Sequence, residues 1–168
     1  MQTTLHALRK LHVNETTRTV SFVCVLFFLP LLVSGPQLLV WSIVNLLLIA
    51  AVRKLSRSKA WPLAFIPSIA AVLHGVIFWP FTIFLVYMMP AIWLGNLILM
   101  YAVSHISKER LSIIIGSIIK ACFLFLVAFV LVKYTLLPTI FLKAMGIFQL
   151  ITALIGWMAF FGFTKLYK

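Results

Sequence analysis

The sequence predicts an all-α integral membrane protein, a bundle of six transmembrane helices. Two observations carry this prediction: the chain is very apolar, and its apolar residues form six long segments. Hydrophobic residues make up 64% of the 168 residues and charged residues only 10%. A soluble domain is typically about half apolar and a quarter charged. This chain therefore has too few charges to coat a globule in water, and most of its surface suits lipid.

The six apolar segments are residues 20–34, 37–52, 61–78, 81–104, 111–132 and 143–164. Each is near the ~20 residues that cross a bilayer as a helix, although the first two are short. We divide the chain into a cytoplasmic N-terminal segment, 1–19, and one six-helix transmembrane domain, 20–168. Outer turns are expected at 34–37, 79–80 and 133–143. The polar start resembles a signal peptide, but no A-x-A site follows, so we expect a retained helix.

Basic residues alternate between connections, and this pattern predicts the orientation. The chain has 14 basic and two acidic residues, a net charge of +12. Eleven basic residues flank the domain or fill its second and fourth connections: Arg9, Lys10, Arg18, Arg53, Lys54, Arg57, Lys59, Lys108, Arg110, Lys165 and Lys168. The alternate connections hold only Lys133 and Lys143. Positive charge is retained in the cytoplasm, so we expect a plasma-membrane protein with both termini cytoplasmic.

Several function classes lack the residues that they need. The basic residues form no patch among polar residues, so we expect no nucleic-acid partner. The only acids, Glu15 and Glu109, lie outside the apolar segments and form no catalytic pair. Cys24 and Cys122 stand alone in apolar segments and are interpreted as small core residues. No metal-ligand spacing or phosphate-binding loop is present, so we expect no enzyme, catalytic residue, metal or cofactor.

Polar side chains inside the apolar segments are candidates for a site. Five such residues are Asn45, His74, Asn96, Lys120 and Gln149. A charge at the centre of a bilayer costs about 2.5–3.5 kcal/mol on insertion scales, so these residues should face one another across the bundle. Lys120 shares a helical stripe with Ser112 and Gly116, and Gln149 shares one with Thr152. Small and polar stripes of this kind are typical of contacts between transmembrane helices.

Two interpretations stay open for the neutral members of this set. Asn45 and Asn96 either join helices by amide hydrogen bonds, worth about 0.6–2 kcal/mol each, or line a binding site. Pro90 and Gly95 beside Asn96 indicate a kink, which a membrane tolerates only where protein or a cavity surrounds it. His74 has no second histidine or carboxylate near it in sequence. We expect it to be a hydrogen-bonded core histidine, with ligand contact as the alternative.

Lys120 is the most informative residue because the chain has no acid within an apolar segment. Its ammonium must therefore lose its proton, be solvated by amides and carbonyls, or pair with an external anion. An anionic ligand or an acidic side chain of a partner subunit would each satisfy it. Intramembrane ionisable groups usually mark functional sites.

Five motifs together resemble a group of small six-span prokaryotic membrane proteins: "SGPQLLVWSIVNLLLIAA" (34–51), "PSIAAVLHG" (67–75), "MMPAIWLGN" (88–96), Lys120, and "GIFQLITALIGW" (146–157). In size and topology that group is similar to the substrate-binding (S) components of energy-coupling factor transporters. The resemblance implies six helices that capture a vitamin or metal ion in a pocket open to the outside. It also implies a coupling subunit and two ATPases as partners, with no hydrolysis by the chain itself.

By this resemblance the pocket is lined from the outer halves of several helices. Its outer contacts would be Pro36, Gln37, His74 and Gln149. Its floor would be Asn45, Asn96 and Lys120. We expect a solute-binding transport component in the lipid bilayer, in which a carboxylate of the solute pairs with Lys120. The alternative is a structural or accessory subunit of a larger membrane complex, in which Lys120 meets a partner's carboxylate.

Overall fold

The structure, a computed structural model, describes residues 14–33, 36–75 and 81–166. Within these ranges the chain is helical and forms no strand. Its α-helices are α1 (Glu15–Leu32), α2 (Gln37–Lys54), α3 (Arg57–Ala60), α4 (Ile66–His74), α5 (Leu85–His105), α6 (Glu109–Lys133), α7 (Ile140–Met145) and α8 (Ile147–Leu166). Short 3₁₀ helices cover Trp61–Ala64 and Thr82–Phe84. The basic residues Arg9, Lys10 and Lys168, the turn at 79–80 and part of the turn at 34–37 lie outside the described residues.

Five of the six predicted segments contain a described helix long and apolar enough to cross a membrane, which confirms the all-helical prediction and fits a multi-pass membrane protein. Those helices are Glu15–Leu32, Gln37–Lys54, Thr82–His105, Arg110–Lys133 and Ile140–Gly162. The first two have 18 residues each, or about 27 Å at the helical rise, close to the ~30 Å hydrocarbon core. Both are longer than the sequence predicted. The first begins at Glu15, where Asn14 caps it, and the second continues to Lys54.

The third apolar segment is not a single helix. It divides into the 3₁₀ turn Trp61–Ala64 and the nine-residue α4, because Pro62 and Pro67 cannot donate backbone hydrogen bonds. α4 spans about 14 Å at the helical rise, half of a bilayer core. It ends at Gly75, whose φ of +74° lies in the left-handed region that glycine adopts without steric cost.

The bundle encloses several polar side chains within a mostly apolar core and exposes many large apolar side chains. Its buried polar residues are Ser42, Asn45, Ser68, Thr82, Asn96, Ser112, Ser117, Lys120, Gln149 and Thr152. Large apolar side chains, such as Leu32, Ile83 and Leu126, are more than half exposed. Exposed apolar area on this scale is unfavourable in water and neutral in lipid. The distribution therefore supports a bilayer as the surrounding solvent.

Cys24 and Cys122 are both exposed free thiols, so the prediction that they are core residues is wrong. Cys122 follows Lys120 by two residues, which turns it by about 200° around α6. Because Lys120 faces the interior, Cys122 must face outward. Cys24 lies on α1, of which only Leu26 and Pro30 are buried.

Most charges collect at one end of the bundle, which we call the basic end. Here α1 and α6 begin, and α2, α5 and α8 finish. Three contacts join these helix ends: Ser56 N–H donates to Glu15 Oε1 at 2.6 Å, Trp61 packs edge-on against Tyr101, and Arg110 lies over the Phe161 ring. The described basic residues of this end are Arg18, Arg53, Lys54, Arg57, Lys59, Lys108 and Arg110. Lys133 and Lys143 lie at the opposite end.

Candidate functional site

The centre of the bundle holds Lys120 between two amide side chains. Lys120 Nζ donates to Asn45 Oδ1 at 2.7 Å and to Asn96 Oδ1 at 2.8 Å. These lengths are typical of hydrogen bonds from a charged donor. The three side chains are only 2–3% exposed. Three helices, α2, α5 and α6, thus meet at one polar point, and the structure brings together the three residues that the sequence placed deepest.

Asn45 is held in place from α8. Its Nδ2 donates to Thr152 Oγ1 at 3.2 Å, and the Thr152 hydroxyl in turn donates to the Gln149 carbonyl oxygen at 3.2 Å. The amide nitrogen therefore points to α8 and the amide oxygen to Lys120. A lysine ammonium can only donate, so this orientation of the amide is the one that the lysine requires.

Asn96 is oriented by the backbone of the third segment. Its Nδ2 donates to the Ala64 carbonyl oxygen at 2.9 Å. Pro67, three residues after Ala64, has no N–H and so cannot occupy that carbonyl in a 3₁₀ turn. The broken third segment consequently supplies an acceptor inside the bundle that a continuous helix would have used for itself.

A glycine allows α8 to approach α2 closely enough for this network. A Cβ atom on Gly156 would lie 2.6 Å from the Ser42 carbonyl oxygen and 2.9 Å from the Leu46 nitrogen. Both distances are far shorter than real contacts of a Cβ atom. Gly156 follows Thr152 by one helical turn, so the close backbone contact also brings Thr152 within reach of Asn45.

A cavity of about 60 Å³ adjoins the lysine. The polar residues of its lining are Asn45, Ser68, Asn96, Lys120 and Gln149. Its apolar lining includes Pro30 near the end of α1, Trp41 near the start of α2, Leu85 at the start of α5 and Met145 at the end of α7. All four lie towards the end opposite the basic end. The cavity therefore extends from the mid-plane of the bundle towards that opposite end, with Lys120 at its floor.

Two polar side chains of the lining lack a partner that their chemistry would allow. Gln149 is 8% exposed and lines the cavity, yet its side-chain amide has no hydrogen-bond partner among the described residues. Among the described residues Lys120 also has no carboxylate partner. Glu109 begins α6 eleven residues before Lys120, about 17 Å away along the helix. The lysine nitrogen and an amide without a partner among the described residues thus line one small cavity.

The other predicted site residues do not line the cavity. Gln37 is the first residue of α2 and is half-buried, and Pro36 before it is exposed. His74 Nδ1 is hydrogen-bonded to the Leu31 carbonyl oxygen, which fastens α4 to α1. The expected hydrogen-bonded histidine is therefore present, although it is half-buried and lies away from the lysine.

Ser68 lines the cavity, and the sequence analysis did not single it out. Trp93 Nε1 donates to Ser68 Oγ at 2.6 Å, and Ser68 Oγ donates to the Phe65 carbonyl oxygen at 3.1 Å. A tryptophan two residues before Gly95 in an apolar helix needs an acceptor for its N–H. That requirement is the sequence signal that could have led to a neighbouring hydroxyl.

The fold fits a multi-pass helical membrane protein, and the site places a lysine side chain at its centre. Comparison of the chain with protein families, with curated proteins and with solved structures finds no match.

Proposed function

We propose that this chain is the solute-binding component of a transporter in the plasma membrane, similar in role to an S component of an energy-coupling factor transporter. The observation that carries the proposal is the Lys120 ammonium. It is 2% exposed, has no carboxylate partner among the described residues, and forms the floor of a cavity. A buried cation without a counter-ion is favourable only if something compensates its charge. An acidic solute would supply that compensation.

The charge distribution gives the direction of capture. Positive connections are retained in the cytoplasm, so the basic end faces inward and both termini are cytoplasmic. The cavity then extends towards the outer surface, as a component that collects solute from outside requires.

The energy for transport would come from partner proteins. The sequence has no GxxxxGK[ST] loop that could bind a nucleotide. By the resemblance to S components, the partners are a coupling subunit and two ATPases. The chain itself would bind and release solute without catalysing a reaction.

The alternative of a structural subunit fits the position of Lys120 less well. In that alternative an acid of a partner helix would reach Lys120. The lysine, however, is enclosed by α2 and α5 and is hydrogen-bonded to both. A partner helix on the outside of the bundle would have to displace one of these helices to reach it.

The test is a mild-detergent pull-down of the tagged protein from native membranes, followed by mass spectrometry of the proteins that co-purify. Recovery of a coupling subunit with paired ATPases supports the proposal. Recovery of a fixed set of other membrane subunits, with no ATPase, contradicts it and favours the structural alternative.

A further inference from the structure

We infer that the cavity binds a short monocarboxylate, of the size of acetate or propionate, and that Gln149 determines this specificity together with Lys120. The inference rests on the proposed function and names its class of solute. Its basis is the geometry of the cavity: two unused donors and a small volume.

The first donor belongs to Lys120. An ammonium has three N–H groups, and two of them are taken by Asn45 and Asn96. Since Lys120 also lines the cavity, the third N–H is available to a bound molecule there. As an ammonium it offers a positive charge, and a hydrogen bond from a charged donor is roughly twice as strong as a neutral one.

The second donor belongs to Gln149. The residue is 8% exposed, and its side-chain amide lines the same cavity without a hydrogen-bond partner among the described residues. No protein group among the described residues accepts its N–H, so that donor is available to a ligand in the cavity. A carboxylate has two oxygens and only accepts when ionised, so one oxygen can take each donor.

The volume limits the rest of the ligand. About 60 Å³ accommodates roughly two to five water-sized groups, whereas pockets for drug-sized ligands measure about 300–1,000 Å³. Acetate has four non-hydrogen atoms and propionate five, so both match this limit. Val44, Ala71 and Ile92 provide apolar wall for a methyl or ethyl tail. The described lining contains no second cation for a dicarboxylate.

The test compares two glutamine variants of the full-length protein, purified in lipid nanodiscs. Sodium acetate binding is measured by calorimetry and by the shift in melting temperature, with acetamide as the neutral molecule of the same shape. Gln149→Leu should weaken acetate binding roughly 10- to 100-fold, as expected for the loss of one hydrogen bond to a charged group. Gln37→Leu is the matched control and should leave the affinity unchanged, because Gln37 does not line the cavity.

The outcomes separate this inference from the proposed function. Acetate binding that is selective over acetamide, weakened in Gln149→Leu and unchanged in Gln37→Leu supports the inference. Binding of benzoate but not acetate overturns it and leaves the capture of an acidic solute standing. Binding of no acid at all overturns both. If Gln149→Leu does not fold, the nearly isosteric Gln149→Met replaces it, and acetate affinity equal to that of the wild type again contradicts the inference.

Discussion

Replacing Lys120 by methionine separates binding from stability. Methionine keeps the unbranched shape of the side chain, one heavy atom shorter, and removes its charge and donors. The amide oxygens of Asn45 and Asn96 then lose donors now held at 2.7 and 2.8 Å. Each buried acceptor left unsatisfied costs about 1–3 kcal/mol, so the loss is about 2–6 kcal/mol. Against this, the variant no longer buries a charge, which relieves about 2.5–3.5 kcal/mol.

At mid-range the cost of about 4 kcal/mol exceeds the relief of about 3 kcal/mol, so Lys120→Met should lower the free energy of unfolding by about 1 kcal/mol. Asn96→Leu should be more destabilising, because the lysine stays buried. It loses a charged hydrogen bond, worth about 1.5–3 kcal/mol, and leaves the Ala64 carbonyl without its donor, at about 1–3 kcal/mol. The assay is equilibrium unfolding in mixed detergent micelles. A Lys120→Met variant clearly less stable than Asn96→Leu would refute this reasoning.

For the affinity for an acidic solute we expect the opposite order, with the larger loss in Lys120→Met and the smaller in Asn96→Leu. Lys120→Met removes the only cation of the cavity lining and should abolish binding of an acidic solute, whereas Asn96→Leu leaves the cation in place. Calorimetry on both variants measures this difference. Unchanged affinity in Lys120→Met would contradict the proposed function.

Three further predictions test the surrounding structure. Gly156→Ala should lower stability by about 1–3 kcal/mol through overpacking, while Gly162→Ala, whose added Cβ meets no atom within 4 Å, should not; equal melting temperatures would argue against the close α2–α8 contact. His74→Phe should cost about 0.5–1.5 kcal/mol by loss of its hydrogen bond and leave acid affinity unchanged; a tenfold fall would place His74 in the site. In a cysteine-free background, an impermeant thiol reagent applied to intact cells should label Tyr134→Cys and spare Ser58→Cys; the reverse pattern would invert the orientation.

The polar centre could be predicted from the sequence because lipid makes buried polarity expensive. Lys120, Asn45 and Asn96 lie in the middle of their segments, where no headgroup or water is within reach, so each needs a partner inside the bundle. Gln37 and His74 lie near segment ends, where interfacial water can solvate them, and the same argument has little force. Neither of these two residues lines the cavity.

Other features could not be predicted because apolarity does not distinguish the inside of a membrane bundle from its outside. Cys24 and Cys122 are compatible with either environment, and both face outward. The break in the third segment was visible as Pro62 and Pro67, but the length of the apolar run favoured one helix. The Ala64 carbonyl accepts from Asn96 only because of that break. The pattern of side chains does not show which backbone carbonyl will be available in this way.

The single enclosed cation also bears on the order of events in a transport cycle. Within the proposed function, the empty protein carries one positive charge at the centre of the membrane, and the protein with a bound monovalent anion carries none there. Displacing one elementary charge across a potential of 100 mV involves about 2.3 kcal/mol. Rearrangement of the empty form would therefore be voltage-sensitive and unfavourable in low-dielectric surroundings, while the loaded form would move as a neutral body. The lysine would thereby couple occupancy to motion without any dedicated gate.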